Sequence, residues 1–343
     1  MKKFAVSDSP HIRAKRTTRG IMFDVILALL PAAVMGCVYF GWKALLVLVL
    51  SVFSAVAAEV VYRLCLKENI KDIFRTMDLT SVITGLLLGM TLSSNVPWYV
   101  PVLASIFAIV AVKMLFGGTG KNIVNPAITG RVFAFISFQS VMISGWAVPT
   151  IGSLTGATID ASATPLTNLL KDGVSAMGVS NLDLFLGTGV MGCIGETCKI
   201  ALLLGGVYLV VRGVIDWKWP TLYILGTGLF SVLFNGMQWN LFLPSILSGG
   251  LILGAVFMAT DYVTSPSTTG GNIVYYVALA LLTALLRKYT KIEVVSFAIL
   301  LMNLFVPLIN TYIRPRVFGA PSLLTKLREK WAQRKARKEE QAK

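Results

Sequence analysis

GLLLGM, at residues 85–90, occurs again as GLILGA at residues 250–255, 165 positions later. Each copy follows a similar step, SVI (81–83) before the first and SIL (245–247) before the second. The copies lie in the third and the eighth of the ten apolar runs described below, an offset of five spans, so the two would cross a membrane in opposite directions. This predicts an inverted repeat of two five-helix halves. Chance similarity between two runs rich in Leu and Gly is the alternative.

The composition is that of a membrane protein. Of 343 residues, 55% are hydrophobic and only 14% are charged, and the mean hydropathy is +0.75. That apolar content exceeds what one soluble core buries, and it falls in runs long enough to cross a bilayer. The first 19 residues are polar and basic and precede a run of spanning length, so we expect a retained anchor rather than a cleaved signal peptide.

The net charge of +15 has its main source at the C-terminal end. Ten of the 31 basic residues follow Tyr312. Clusters of this kind next to a final span are typical of the cytoplasmic face, so we expect membrane lipid and no nucleic acid as the partner of these charges. Residues 322–343 are expected to form either a helix lying on anionic lipid or a solvated tail.

Ten apolar runs are candidate transmembrane helices, since a spanning helix needs about 20 apolar residues. The third and sixth are too short alone, so they are expected to borrow neighbouring residues or to be re-entrant. The predicted fold class is an all-α polytopic membrane protein with about ten transmembrane helices, an inverted 5+5 repeat and broken or re-entrant segments. The runs cover residues 20–40, 43–62, 79–92, 98–116 and 131–146, then 200–211, 220–235, 241–260, 273–286 and 294–313.

The distribution of Lys and Arg predicts the orientation. With ten spans both termini lie on one side, and that side holds 25 of the 31 basic residues. By the positive-inside rule this side is the cytoplasm. The cluster Arg287, Lys288 and Lys291 is an exception, because it falls on the outer side. The long loop near Thr164 also falls outside the cytoplasm.

These predictions divide the chain into five segments. They are a cytoplasmic N-terminal arm (1–19), a first five-helix half (20–146), an extracytoplasmic loop (147–197), a second five-helix half (198–313) and a basic cytoplasmic tail (314–343).

Few ionisable residues lie at membrane depth. Asp24 lacks a local partner, so it is expected to serve an ion path or to pair with another helix. Asp78 is a candidate helix N-cap, and Glu59 with Arg63 a candidate i,i+4 pair. Asp261 is expected either to cap a turn or to bind a ligand.

The residues that usually carry hydrolytic or metal chemistry are missing from this sequence. There are four cysteines and one histidine, with no Cys-x-x-Cys pair and no Ser-His-Asp set at a recognisable spacing. Cys193 and Cys198 form either a reactive pair or two small core residues. Hydrolysis and metal catalysis by this chain alone are therefore not expected.

Two polar, glycine-rich loops flank the repeated stretches. They are FGGTGKNIVNPAITGR (116–131) and TDYVTSPSTTGGN (260–272). Neither has the spacing of a phosphate-binding P-loop. Their backbone N–H groups are expected either to cradle an anion or polar ring edge, or to form plain re-entrant loops.

Six stretches in order resemble one family over nearly the whole chain. They are SPHIRAKRTTRGIMFDVILALLP (9–31), TGLLLGM (84–90), LFGGTGKNIVNPAITGR (115–131), ATPL (163–166), LILGAVFMATDYVTSPSTTGGN (251–272) and VPLINTYIRPRVFG (306–319). The chain resembles the D subunit of the Rnf complex, the ion-translocating ferredoxin:NAD oxidoreductase. It is more distantly similar to the B subunit of the sodium-pumping NADH:quinone reductase.

The resemblance implies a covalent flavin. In that family FMN is bound through its phosphate to a threonine of a Ser/Thr-x-Ala-Thr motif, commonly followed by Pro-Leu, and a flavin transferase makes the bond outside the cytoplasm. SATPL (162–166) keeps the Pro-Leu, and Thr164 is therefore the expected attachment residue. TGAT (155–158) matches the transferase pattern literally, so Thr158 is the alternative. A second, noncovalent flavin, riboflavin, is also expected.

The function implied is electron transfer in a complex that couples ferredoxin:NAD chemistry to outward pumping of Na⁺ or H⁺ across a prokaryotic cell membrane. The expected partners are the A, B, C, E and G subunits of the Rnf complex and the flavin transferase. The rival interpretation is a ten-helix secondary transporter or channel without a redox cofactor, because composition and topology alone suit both.

Overall fold

The protein is helical throughout most of the chain. The computed structural model describes residues 17–143, 146–147, 149, 159–160, 164–174 and 178–314. Within these ranges the only strands are one antiparallel pair of two residues each, in which Trp146 lies opposite Asp160. The alternative attachment residue Thr158, and nearly all of the predicted arm and tail, lie outside the described residues.

The described residues up to Leu186 form nine helices and two strands. They are α1 (Thr18–Phe40), α2 (Trp42–Cys65), α3 (Ile70–Thr76), α4 (Thr80–Met90), α5 (Tyr99–Phe107, continued by a π-helical stretch, Ala108–Met114), α6 (Pro126–Ser137), α7 (Gln139–Ile143), β1 (Trp146–Ala147), β2 (Ile159–Asp160), α8 (Pro165–Asp172) and α9 (Asn181–Leu186).

The second half begins at residue 199. Its helices are α10 (Lys199–Val211), α11 (Lys218–Phe234), α12 (Phe242–Leu247, preceded by a 3₁₀ turn at Trp239–Leu241), α13 (Leu251–Leu253, continued by a π-helical stretch, Gly254–Met258), α14 (Thr269–Thr290) and α15 (Val295–Tyr312).

Among the described residues, four helices are long and apolar enough to cross a membrane: α1, α2, α14 and α15. Two further spans are obtained if each of two bent pairs counts as one. Shorter apolar helices lie at residues 99–114, 126–137 and 199–211. The chain is thus a multi-pass helical membrane protein with four to six candidate spans by length, and the number ten stays a prediction.

Both bent pairs contain a copy of the repeated stretch. The axis of α3 meets that of α4 at 69°, and α4 carries GLLLGM. The segment Trp239–Leu247 meets Leu251–Met258 at 66°, and the second part carries GLILGA. A break was expected in the third span. The eighth run, 241–260, is divided as well, because Gly249 takes a left-handed backbone (φ 71°), in line with the predicted broken or re-entrant segments.

No side-chain cap begins helix α4 after the bend between α3 and α4. The predicted N-cap role of Asp78 is wrong: Leu79 occupies the N-cap position, with φ 59°, and no side chain caps the helix. A leucine in this left-handed conformation costs roughly 1–2 kcal/mol, which the packing around α4 must offset.

Tight contact between α2 and α4 supplies that packing. A Cβ placed on Gly85 would lie 2.7 Å from the Ser51 carbonyl oxygen and from the Val52 Cα. Ser51 Oγ donates a hydrogen bond to the Gly85 carbonyl, 2.7 Å away. The two backbones therefore touch, as small residues permit in membrane helices.

Two ion pairs connect parts of the chain that are distant in sequence. Arg212, the half-exposed C-cap residue of α10, donates to buried Asp24 on α1 at 3.1 Å, which confirms that Asp24 pairs with another helical segment. Lys113 donates to Glu59 at 2.8 Å, with both side chains almost fully buried. The predicted Glu59–Arg63 pair is wrong, because Arg63 instead pairs with Glu68. Tertiary contact takes precedence here over i,i+4 spacing.

Helix contacts can be compared between the two predicted halves, residues 20–146 and 198–313. Within the first, α2 lies against α4 and α5, and within the second, α11 lies against α12 and α14. Between them, α1 packs on α10 and α6 packs on α15. The helices α1 and α10 lie in the first predicted span of each half, and α6 and α15 overlap the fifth.

Candidate functional site

Thr164 begins helix α8 and presents its hydroxyl at the end of that helix. Thr164 Oγ1 accepts a hydrogen bond from the Thr167 backbone N–H at 3.3 Å and lies 2.9 Å from Thr167 Oγ1. Pro165 follows at the first helical position, where its missing N–H costs nothing. Thr164 is thus the N-cap of α8.

A small apolar cluster fixes α8 against its neighbours. Leu166 and Leu169 on α8 pack with Leu184 on α9, Val190 and Leu241, all buried. The β1–β2 pair joins the chain just upstream of Thr164 to the end of α7. Thr164 is therefore held on a rigid helix end, although a long loop surrounds it in sequence.

Thr164 lines a cavity of about 400 Å³, here called the Thr164 cavity. This volume lies within the range of about 300–1,000 Å³ usual for sites that enclose small organic ligands. Its apolar walls include Phe135, Met142, Trp146 and Met191. Flat aromatic and thioether side chains of this kind suit a flat ring system.

The floor of the Thr164 cavity is charged and buried. Arg131 on α6 donates to the Thr91 carbonyl at 2.6 Å and to Cys193 Sγ at 3.6 Å. Lys199, at the start of α10, donates to the backbone carbonyl of Glu196 and, at 3.5 Å, to that of Gly249.

Two carboxylates share this floor. Glu293 Oε2 accepts from Arg287 at 3.1 Å, and Glu293 Oε1 accepts from the Val295 N–H at 3.1 Å. Glu196 Oε1 accepts from the Cys193 N–H at 2.8 Å. Glu196 Oε2 is buried and has no hydrogen-bond partner among the residues that the structure describes.

Burial raises the pKa values of two groups on this floor. It raises the pKa of Glu196 above its ordinary value, and the nearby Lys199 ammonium only partly opposes the shift. It also raises the pKa of Cys193 to about 12, with Glu196 adding to the effect. The cluster formed by Arg131, Lys199, Arg287 and the two carboxylates carries one surplus positive charge if both carboxylates are ionised. The cavity floor therefore favours a group that is anionic or becomes so.

Sequence reasoning found Thr164 but missed most of this floor. Cys193 and Cys198 are free and buried, as the core interpretation predicted. Glu196 and Lys199 were counted only as loop charges. The cluster Arg287, Lys288 and Lys291 is the exception to the predicted charge distribution, and the burial of Arg287 explains it in part. Arg287 is 1% exposed and donates to the carbonyls of Ser245 and Ser248 rather than lying in a loop.

The two glycine-rich loops meet at a second cavity of about 130 Å³ between the halves, lined by residues of both loops and of α4. Asn125 caps α6 and donates to the Met258 carbonyl at 3.3 Å, which joins the first loop to the π-helical stretch just before the second loop. Lys113 and Asp261 also line it. Asp261 accepts from Thr264 Oγ1 at 3.1 Å, so its turn-capping role is confirmed, and burial raises its pKa.

Comparison with known proteins was made for the whole chain. The model of the NQR2, RnfD, RnfE family matches residues 5–319. The chain belongs to this family. Five of the six stretches that carry the resemblance contribute residues to the Thr164 cavity or to the cavity between the loops.

Relatives in the NQR2, RnfD, RnfE family are similar over almost their full length. The D subunit of the Na⁺-translocating ferredoxin:NAD⁺ oxidoreductase complex of Acetobacterium woodii is 42% identical, covering 93% of this chain and 96% of the relative. The D subunit of the proton-translocating ferredoxin:NAD⁺ oxidoreductase complex of Clostridium ljungdahlii is 38% identical, covering 92% and 96%. The D subunit of the ion-translocating oxidoreductase complex of Stutzerimonas stutzeri is 35% identical, covering 87% and 91%.

Proposed function

We propose that this family member is the electron-carrying membrane subunit of an ion-translocating ferredoxin:NAD oxidoreductase complex, with FMN bound through its phosphate to Thr164. The observation that carries the proposal is the Thr164 hydroxyl on the wall of a cavity with flat apolar walls and a positively charged floor. The names of the relatives support the complex, and the cavity supports the cofactor.

The residues of the cavity fit the proposed group. The N-terminus of α8 would favour the phosphate dianion by roughly 0.3–1 kcal/mol. Phe135 and Trp146 would contact the flavin ring, and Arg131 with Lys199 would place positive charge in the same cavity. FMN would supply the one-electron chemistry, while the chain supplies attachment, orientation and charge.

The finer topology belongs to the same proposal. We take ten membrane segments, the two bent pairs and the short helices included, arranged as an inverted 5+5 repeat. Three observations support it: a bent pair at each copy of the repeated stretch, matching helix contacts within each half, and contacts between corresponding helices across the halves. Both termini then face the cytoplasm of a prokaryotic cell, and Thr164 faces outward, where a flavin transferase would act.

The proposed partners follow from the relatives and from the charge of the chain. The A, B, C, E and G subunits of the Rnf complex would pass electrons to and from this chain, and lipid would surround it. Riboflavin stays a prediction for the cavity between the loops. At about 130 Å³ that cavity would have to widen to accept a flavin.

Fluorescence of the denatured chain tests the covalent flavin. The full chain, produced with a flavin transferase, is expected to fluoresce under ultraviolet light after SDS electrophoresis. Thr164→Val should give a dark band, while Thr167→Val, which keeps the Thr164 hydroxyl, should stay bright. Loss of the N-cap costs about 1 kcal/mol, so the variant should still fold. Peptide mass spectrometry would then locate the added mass.

The contrary outcomes are distinct. A bright Thr164→Val band that turns dark in Thr158→Val would move the attachment to Thr158. A dark wild-type band from folded protein would overturn the redox function and support the ten-helix transporter or channel. The coupling ion is tested separately, by ferredoxin-driven NAD reduction in membrane vesicles with and without Na⁺.

A further inference from the structure

We propose that the Glu196 carboxyl is the internal proton donor and acceptor for the redox group held at Thr164. The proposal rests on the proposed function, because it needs a flavin in the Thr164 cavity. Glu196 lies outside the SATPL motif (162–166) and takes no part in the proposed phosphoester bond at Thr164.

The position of Glu196 is the first reason. It lies in the turn between α9 and α10 and is 8% exposed. The Cys193 N–H holds Oε1, so the carboxyl group cannot turn freely. Glycine backbone lies close on two sides: a Cβ at Gly250 would be 3.3 Å from Oε2, and one at Gly192 would overlap Oε1. The side chain is thus fixed, and Glu196 is one of the residues that line the Thr164 cavity.

The missing hydrogen bond is the second reason. Glu196 Oε2 has no partner in the described part of the chain, although three cations lie in the same cluster. Arg131 donates to Thr91 and Cys193, Lys199 to backbone carbonyls, and Arg287 to Glu293 and two carbonyls. A buried carboxylate oxygen without a donor is unfavourable, so the site favours a protonated carboxyl or a donor on the ligand.

The surroundings set the charge balance. The titratable and charged side chains that line the cavity beside Glu196 are Arg131, Lys171, Cys193, Lys199, Lys291 and Glu293. Burial is the largest of the effects on the Glu196 pKa and raises it, which favours the protonated carboxyl. The cations nearby would then stabilise the carboxylate left after the proton departs.

The proposed step couples the arrival of one electron to the transfer of one proton from Glu196. One electron arrives from a one-electron donor protein of the complex. The O–H bond of Glu196 breaks, and its proton passes to a ring nitrogen, where an N–H bond forms. When the electron leaves to the next carrier, the proton returns to Glu196 Oε2. On reduction the buried site therefore gains one negative charge. That charge lies on Glu196, near Lys199 and Arg131, rather than on the ring.

Infrared difference spectroscopy tests this step without an activity assay. Reduced-minus-oxidised spectra of the purified full chain with its flavin should show loss of a carboxylic-acid C=O band on reduction. The band should shift in D₂O, vanish in Glu196→Gln and move in frequency in Glu196→Asp. Glu68→Gln, which removes a carboxylate paired with Arg63 outside the cavity, should leave it unchanged.

The pH dependence has a definite sign. Because the folded pKa of Glu196 is raised, the band should be present below that raised pKa and disappear as pH rises through it. The rival step, an anionic ring stabilised by Arg131 and Lys199 with no proton transfer, predicts no carboxyl band at any pH.

Two failures are distinguishable. If the gel band of the wild type is dark, the proposed function fails first. If the flavin is present and the carboxyl band is absent, or persists in folded Glu196→Gln, the proton-donor role is overturned and covalent attachment at Thr164 stands. If Glu196→Gln does not fold, the wild-type spectrum and the frequency change in Glu196→Asp decide.

Discussion

At the scale of single residues, burial determines what each titratable group can do. Cys65 and Cys193 show the contrast, because both are free thiols and only Cys65 is exposed. Cys193 lies beside Arg131 yet has a pKa of about 12, because burial outweighs the attraction of the guanidinium. At pH 8 only about one Cys193 in ten thousand would be a thiolate.

Alkylation measures this difference. In the folded chain in detergent at pH 8, a maleimide or iodoacetamide reagent should label Cys65 and leave Cys193 unmodified, as quantified by peptide mass spectrometry. After denaturation both should react. Fast labelling of Cys193 in the folded chain would contradict the buried floor of the cavity.

The sequence predicted the local features of the site and missed the distant ones. Thr164 as an N-cap and Pro165 as the first helical residue follow from short-range rules, and both are confirmed. The approach of Glu196 to Glu293 depends on packing between segments about a hundred residues apart. No local pattern encodes it, although a Glu and a Lys three positions apart within an apolar, glycine-rich stretch were a signal.

At the scale of elements, the repeated stretch is a packing surface as well as a sequence pattern. GLLLGM places Gly85 against the backbone of α2, with Ser51 bonded across the contact. Periodicity located the helix correctly. The bends before α4 and within the predicted eighth span depend on left-handed residues, Leu79 and Gly249, and a leucine gives no sequence signal for such a backbone.

Gly85→Val should loosen the α2–α4 contact. Its Cβ would meet backbone atoms of α2 at 2.7 Å, so two helices must separate, at a cost of about 1–3 kcal/mol or more. Thermal unfolding in detergent, followed by size-exclusion chromatography, should show a lower midpoint. Gly20→Ala is the matched control, because its Cβ would meet only Thr17 Oγ1, at 3.4 Å. Equal midpoints for both variants would contradict the contact.

At the scale of the whole molecule, the two halves form one body. The Asp24–Arg212 pair and the contacts of α1 with α10 and α6 with α15 join them, and the Thr164 cavity takes residues from each. Composition and charge predicted a multi-pass protein, which the apolar helices support, and an orientation, which stays a prediction. They did not predict which helices touch, because lipid-facing and helix-facing sides are equally apolar.

Labelling of intact cells tests the orientation. With Cys65 replaced by Ser, Lys171→Cys on exposed α8 should react with a membrane-impermeant maleimide added outside. Lys71→Cys, exposed on α3, should react only after the cells are opened. The reverse pattern, or equal reaction of both, would contradict the proposed topology.

The composition of the cavity floor has a consequence for biogenesis. Arg131 leaves the ribosome 162 residues before Glu293, which at about 5–20 residues per second is a delay of roughly 10–30 s. During that time Arg131 lacks Glu293, it also lacks Glu196 until residue 196 has been made, and α6 lacks its contact with α15. The floor is complete only when the last helix is inserted, so a transferase that reads the finished cavity would modify assembled chains and pass over nascent ones.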